Sequence, residues 1–196
     1  MLELALFDLD GVIRHFDESL TLSIEREHGL PSGSIADAAF SGPLISAVTT
    51  GRVSRAEWVA DLAHRIGNAS AAEAWAAQCP TVDTSMLELS DRLRRGGTRT
   101  AILTNGTDTI GAEVAAQGID THFDAIFNSA QIGFAKPDIR AFEHVMSALA
   151  VDAARTFFTD DSPSQLAGAT ALGMITHHFR AQGPLLDALR DAGARI

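Results

Sequence analysis

Two aspartates one residue apart, Asp8 and Asp10, close a short apolar run, Leu4-Ala5-Leu6-Phe7, and Gly11 follows them. The run is too short and too unbroken for an amphipathic helix and reads as a strand buried on both faces. Residues i and i+2 of a strand point the same way, so the two carboxylates sit together at the strand's carboxyl end. Carboxylates that close cannot both ionise freely: one rises in pKa, or a cation sits between them. Gly11 lets the backbone turn sharply behind them. Taken alone, the stretch also fits a solvated strand end closed by an ordinary Asp-Gly turn.

Three more polar groups follow hydrophobic runs in the same way. Thr100-Ala101-Ile102-Leu103-Thr104 runs into Asn105-Gly106, Lys136 precedes the helix opened by Pro137, and Thr156-Phe157-Phe158-Thr159 ends in Asp160-Asp161. Each has a bland reading: a common turn, a common helix entrance, an acidic helix N-terminus. Jointly they bring four carboxylates, one lysine and one hydroxyl to one edge of a parallel sheet, the edge where open α/β sheets hold ligands. One lysine leaves that set with excess negative charge, which calls for a hard divalent cation with oxygen ligands, most simply Mg2+. Such a set suits phosphoryl transfer. A carboxylate can attack phosphorus and form an aspartyl-phosphate. A metal, a lysine and a hydroxyl neutralise and position the equatorial oxygens. A second carboxylate can protonate the leaving oxygen and then activate water.

The elements that must position these groups fall into two textures. From about Phe16 to Pro80 the pattern is helical throughout. Glu18 to Glu27 carries Leu20 and Ile24 on one face; Ser54-Arg55-Ala56-Glu57 and Ser70-Ala71-Ala72-Glu73 read as capping boxes. Trp58 and Trp75 read as helix packing, and Cys79 as a small buried residue. After Pro80 strands and helices alternate. A helix spans about Ser85 to Arg95 and stops at Gly96-Gly97. Strands follow at Thr100–Thr104, Ala125–Asn128, Thr156–Thr159 and Met174–His177, with helices between them and one from about Pro184 to Gly193. Ser162-Pro163-Ser164-Gln165 reads as a third capping box with Pro at the first helical position. Alternation of this kind predicts an α/β fold with a doubly wound parallel sheet and right-handed crossovers. Residues 1–15 and 81–196 are expected to form this core, and residues 16–80 an all-helical insertion hanging over the reactive edge as a lid.

On these residues the chain resembles the haloacid dehalogenase-like (HAD) hydrolase superfamily. Asp8-Leu9-Asp10-Gly11-Val12 resembles its first motif, Thr104-Asn105 its second, Lys136-Pro137 its third and Asp160-Asp161 its fourth, in the same order over nearly the whole chain. The insertion after the first motif resembles the helical cap of the branch that includes phosphoglycolate phosphatases and β-phosphoglucomutases. The resemblance implies a Rossmann-like core. It implies Asp8 as nucleophile and Asp10 as general acid and base. Thr104 would bind the phosphoryl group through its hydroxyl, beside the backbone N–H groups of Asn105 and Gly106, and Lys136 would hold Asp8 and the phosphoryl oxygens. Mg2+ would be held by Asp8, the backbone carbonyl of Asp10 and Asp161, with Asp160 behind them or reaching the ion through water.

The resemblance points to a phosphatase acting on a small phosphorylated metabolite. A phosphomutase keeps the same motifs but needs cap residues to hold a sugar bisphosphate. Arg14, His15, Arg52, Arg55 and His64 are the candidates, and each also reads as a solvated cap residue. The dehalogenases lack the second carboxylate, which is present here as Asp10. A phosphorylation-switch receiver would keep its acidic pair and its phospho-acceptor on separate strands and would carry no large insertion. A catalytically idle scaffold would have lost motif positions that are intact here. His177 and His178 point opposite ways along a strand, which disfavours a zinc pair.

Composition bounds the rest. The chain has 196 residues, 46% of them apolar, a net charge of -10 and one cysteine. The charge argues against general binding to nucleic acid or anionic membranes. A single cysteine precludes an internal disulfide and suits a reducing compartment. No apolar run reaches membrane-spanning length and the first residues do not read as a signal peptide, so a cytoplasmic location is expected. Nothing in the pattern specifies an oligomeric state.

Overall fold

The computed structural model describes residues 1–196. The elements run β1 (Leu4–Phe7), β2 (Arg14–His15), α1 (Glu18–Glu27), α2 (Ser34–Ala39), α3 (Gly42–Thr49), α4 (Arg55–Ile66), α5 (Ala69–Ala76), β3 (Thr81–Val82), α6 (Thr84–Arg95), β4 (Arg99–Thr104) and α7 (Ile110–Ala116). They continue as β5 (Ala125–Asn128), α8 (Ser129–Ile132), α9 (Ile139–Leu149), β6 (Thr156–Asp160), α10 (Ala167–Ala171), β7 (Ile175–His178) and α11 (Gln182–Asp191). No helix is long and apolar enough to cross a membrane.

The five long strands form one parallel sheet in the order β5-β4-β1-β6-β7. All four residues of β1 are buried, because β1 is the central strand and helices cover both faces of the sheet. Its side chains alternate. Ala5 and Phe7 join a core with Met86, Leu89 and Leu93 of α6, Ile110 of α7, and Leu185 and Leu189 of α11. Leu4 and Leu6 join a second core with Ala141, Phe142 and Val145 of α9 and Ala169 of α10. The chain passes from β1 outward through β4 and β5, then crosses back to β6 on the other side. That reversal opens a crevice beyond the carboxyl ends of β4, β1 and β6.

Helices α1 to α5 have a core of their own, built from Ile35, Ala39, Val48, Trp58, Leu62 and Ala72. They are bracketed by β2 and β3, which pair antiparallel, Arg14 with Val82 and His15 with Thr81. The Ser54 capping box forms, with Glu57 accepting from the Ser54 N–H at 2.9 Å. The other two do not. At α5 the cap is Asn68, whose side chain accepts from the Ala71 N–H, so Ser70 lies inside the first turn. At Ser162 a 3-10 turn (Pro163–Leu166) replaces the helix start, and the Ser162 hydroxyl pairs with the Ser164 hydroxyl at 3.0 Å. In both places an Asx or Ser group nearby offers the backbone a better local partner than the expected cap. Cys79 is exposed rather than buried, because it follows the end of α5 on the chain's way back to the sheet.

Candidate active site

Asp8 follows β1 directly, and its N–H donates to the Thr159 carbonyl of β6 at 2.9 Å, which continues the ladder and fixes where its side chain starts. Lys136 lies in the loop between α8 and α9, before a cis Lys136–Pro137 bond. Its ammonium donates to Asp8 Oδ1 and to Asp160 Oδ2, each at 2.6 Å. The Lys136 and Asp160 side chains are both 1% exposed and that of Asp8 11%, so these are interior ion pairs. Both Asp160 oxygens have a partner, since the other accepts from the Ser162 N–H at 2.9 Å. Asp161, next along the chain, is exposed at the mouth of the crevice.

One ammonium between two buried carboxylates leaves a net negative charge in a medium that solvates it poorly. Burial pushes the Asp8 carboxyl up to about 7, against the opposing pull of Lys136 and with help from the Asp160 charge. For Lys136 burial acts to lower the pKa, but the two carboxylates outweigh it and raise it. Surrounding protein atoms and the Asp160 charge also hold Asp161 above its ordinary value. Oxygens of Asp8, Asp160 and Asp161 all lie within 4.8 Å of one another. An all-carboxylate oxygen set with surplus negative charge is the donor chemistry that Mg2+ accepts, so the residues fit that ion.

Gly11 holds a left-handed φ of 87°, and a Cβ on it would fall 2.2 Å from Asp161 Oδ2. Glycine is required there twice, for the turn and for the carboxylate that packs against it. Thr104 ends β4, 2% exposed. The Asn105 side chain clamps the Lys136 peptide from both sides: its Nδ2 donates to the Lys136 carbonyl at 2.8 Å and its Oδ1 accepts from the Lys136 N–H at 2.7 Å. Gly106 is buried beside it. Lys136 thus brings Asp8 and Asp160 together with Asp161 beside them and Asn105 tied to its own peptide, Asp10 and Gly106 share a cavity wall with Asn105, and Thr104 stands at the end of the neighbouring strand. His177 and His178 have separate partners, the Thr159 hydroxyl at 3.1 Å and the Asp161 carbonyl at 2.9 Å.

Arg14, weighed in the sequence as a sugar-phosphate contact or a solvated cap residue, meets Glu113 and Gln117, which the sequence did not single out. Arg14 is 1% exposed, not a solvated cap residue. Its Nε lies 2.6 Å from Asp10 Oδ1, and its Nη1 lies 3.0 Å from Glu113 and 3.2 Å from Gln117, both beyond β4. Burial acts to lower its pKa, and the Asp10 and Glu113 carboxylates more than offset that. The tight turn at Gly11 returns Arg14 to Asp10, four residues back. Its other two partners lie about a hundred residues away in sequence.

A doubly wound sheet with a lysine-anchored acidic cluster at its carboxyl edge, and a helical insertion leaving just after the first strand, defines a class of α/β proteins whose polar groups converge beyond the strand ends. Within that class this chain belongs to the haloacid dehalogenase-like hydrolase family, whose model matches residues 2–173. It is 27% identical over 205 residues to bifunctional epoxide hydrolase 2 of Rattus norvegicus, covering 89% of this chain and 36% of that protein. It is 34% identical over 106 residues to sesquiterpene phosphatase astK of Aspergillus oryzae, covering 52% of each. It is 26% identical to validoxylamine A 7'-phosphate phosphatase of Streptomyces hygroscopicus, covering 91% of this chain and 88% of that one. The chain thus spans 36% and 52% of the first two of these relatives. Among solved structures, a HAD-like hydrolase of Porphyromonas gingivalis superposes with a TM-score of 0.78 at 22% identity, over 97% of this chain and 98% of that one. A HAD family enzyme of Bacteroides thetaiotaomicron, solved with magnesium and inorganic phosphate, gives 0.76 at 22% identity, over 92% and 96%. At such identities the likeness establishes the fold.

Proposed function

We propose that the chain is a Mg2+-dependent phosphohydrolase that cleaves a phosphomonoester through an aspartyl-phosphate on Asp8. The observation that carries this reading is the buried Lys136 ammonium, 2.6 Å from both Asp8 and Asp160, with Asp161 open beside them. Phosphatase relatives at 26% and 34% identity support it, as does a neighbouring structure that holds magnesium and phosphate.

Asp8 attacks phosphorus while the ester P–O bond breaks, and Asp10 gives its proton to the departing alcohol oxygen. Asp10 then takes a proton from water, which attacks the phosphorus of the aspartyl-phosphate. Inorganic phosphate leaves and the Asp8 carboxylate is restored. Lys136 orients Asp8 and offsets charge on the phosphoryl oxygens, which also accept from the Thr104 hydroxyl and from the Asn105 and Gly106 N–H groups. Asn105 keeps Lys136 in place through its clamp, and Arg14 fixes the direction in which Asp10 points. Asp8, Asp161 and the Asp10 carbonyl would hold Mg2+, with Asp160 behind them on Lys136. When bound, the ion neutralises developing charge on the phosphoryl group. Residues 16–80 act as a cap that excludes water and shapes the leaving-group site. The carboxylate at position 10 favours an ester leaving group, which needs a proton, over a halide, which does not.

The test is release of inorganic phosphate from a panel of phosphomonoesters, with Mg2+ and with EDTA. Release that needs Mg2+ and disappears in Asp8→Asn is expected. Release that survives EDTA, or equal turnover by Asp8→Asn, would overturn the reading.

A further inference from the structure

Between the inserted helices and the carboxyl edge of the sheet lies a cavity of about 1060 Å³, lined at its inner end by Asp10, Asn105 and Gly106 and so continuous with the candidate site. Its volume is at the top of the range of about 300–1,000 Å³ usual for small-ligand sites. The walls are largely apolar. Phe40, Trp58 and Trp75 form an aromatic cluster there, with ring centroids 5.3 to 6.1 Å apart. Phe16, Leu22 and Phe40 line the same cavity yet are 47%, 46% and 57% exposed. Isolated exposed apolar residues are ordinary, but three facing one cavity beside a reactive site form a surface that a ligand can cover.

The charges in the wall are already satisfied or of the wrong sign for a second anion. Its only cationic side chains are Arg14 and Arg55. Arg14 is paired with Asp10 and Glu113, and the Arg55 guanidinium donates to the Ala76 carbonyl. Against them stand five carboxylates, Asp10, Asp17, Glu18, Glu25 and Glu113. Glu25, 1% exposed, uses both oxygens on the Gly33 and Ile35 N–H groups, at 2.7 and 2.9 Å. Several of its polar side chains already bond one another, Gln78 with Thr21 and Thr109 with Thr107 and Glu113, so a sugar would compete with these pairs, and a carboxylate or second phosphate would meet repulsion.

We propose, resting on the phosphatase reading above, that this cavity receives the alcohol part of the substrate, and that this part is a large, uncharged, apolar chain or ring system. The preferred substrates are then lipid-like phosphomonoesters rather than sugar phosphates or phosphorylated acids.

The experiment is a series of n-alkyl monophosphates from ethyl to decyl, kept below micelle formation, with a hexose phosphate and phosphoglycolate beside them. The ratio kcat/KM should rise roughly two- to fourfold per added methylene until the cavity is full, as expected for burial of apolar surface. The hexose phosphate and phosphoglycolate should rank with the shortest esters. Phe40→Asp should lower the octyl-to-ethyl ratio by about tenfold or more, and Leu22→Asp, at another exposed position, should do the same if Phe40→Asp does not fold. A flat series, or a hexose phosphate that beats the octyl ester, would overturn the proposal while leaving the phosphatase reading intact. A second arm needs no turnover. The chain's two tryptophans, Trp58 and Trp75, both face the cavity, so their emission should respond saturably to octylphosphonate and not to methylphosphonate. That response in a protein that hydrolyses no ester would retain the cavity assignment and reject the phosphatase. Dimerisation lost in Phe40→Asp, with no response to octylphosphonate, would assign the apolar face to a second copy of the chain instead.

Discussion

In the proposed reaction Asp8 is the residue on which the chemistry turns, and its environment makes a claim about pH. Its carboxyl, pushed up to about 7 by burial, carries a proton across the mildly acidic range. A carboxyl whose pKa is raised on folding stabilises the fold most at pH below its unfolded value of 3.8, and that contribution is lost as pH climbs to about 7. A cation competes with the same proton, so Mg2+ affinity should rise about tenfold per pH unit up to about pH 7 and then level off. Thermal-shift titrations with MgCl2 between about pH 5 and 8 would read this, and a shift independent of pH would contradict it. Lys136→Ala removes the ammonium from two buried carboxylates and should lower kcat by roughly 10²- to 10³-fold; a twofold loss would place Lys136 outside the reaction. Arg14→Gln should lower kcat by roughly ten- to a hundredfold with KM changed far less, since it acts through the direction of Asp10. An effect on KM alone would make Arg14 a substrate contact. Asp8, Asp10, Thr104 and the Asp160-Asp161 pair were legible in the sequence because each follows a hydrophobic strand, and a parallel sheet brings such ends to one edge; Lys136, in the loop between α8 and α9, was legible only through the Lys-Pro entrance to α9. Arg14 was not, because its environment is set by Glu113 and Gln117 far along the chain, and four-residue spacing across a turn has no regular period to betray it.

At the scale of elements, the strands were easier to read than the ends of helices. Buried strands of a parallel sheet are continuous apolar runs, and all five fall within a residue or two of their expected places. Two-residue β2 and β3 were invisible, since such short pairings arise from how the insertion leaves and rejoins the sheet and not from local pattern. The capping boxes at Ser70 and Ser162 failed because Asn68 and Asp160 supply competing side-chain acceptors. The docking of the inserted helices on the core has its own signature. Gly51, just after α3, has a φ of 72°, and a Cβ there would lie 2.1 Å from the carbonyl oxygen of Ala130 in α8. Backbone cannot yield as a side-chain tip would, so Gly51→Ala should destabilise the protein by roughly 1–3 kcal/mol and displace α3 from α8. Denaturant midpoints would show it; an unchanged midpoint would mean that the two elements slide freely.

Over the whole molecule, an acidic chain is no contradiction to the anionic substrate proposed for it. The net charge of -10 belongs to the whole chain, whereas the field at the crevice is set by Lys136, the local N–H groups and, in the proposed reaction, the cation they would share. The family and the fold were legible from four motifs in order; the leaving group was not, because the cavity that would receive it is assembled from α1 to α5, the β2–β3 ladder and α7 together. The central claim is that phosphate passes through Asp8. The direct measurement is mass spectrometry of the protein acid-quenched during turnover of a phosphomonoester with Mg2+, with borohydride reduction to mark the acyl-phosphate. One added phosphoryl group is expected, and on reduction, with loss of phosphate, the residue at position 8 and no other becomes homoserine. Sustained phosphate release with position 8 unmodified, or with the label on another residue, would contradict it.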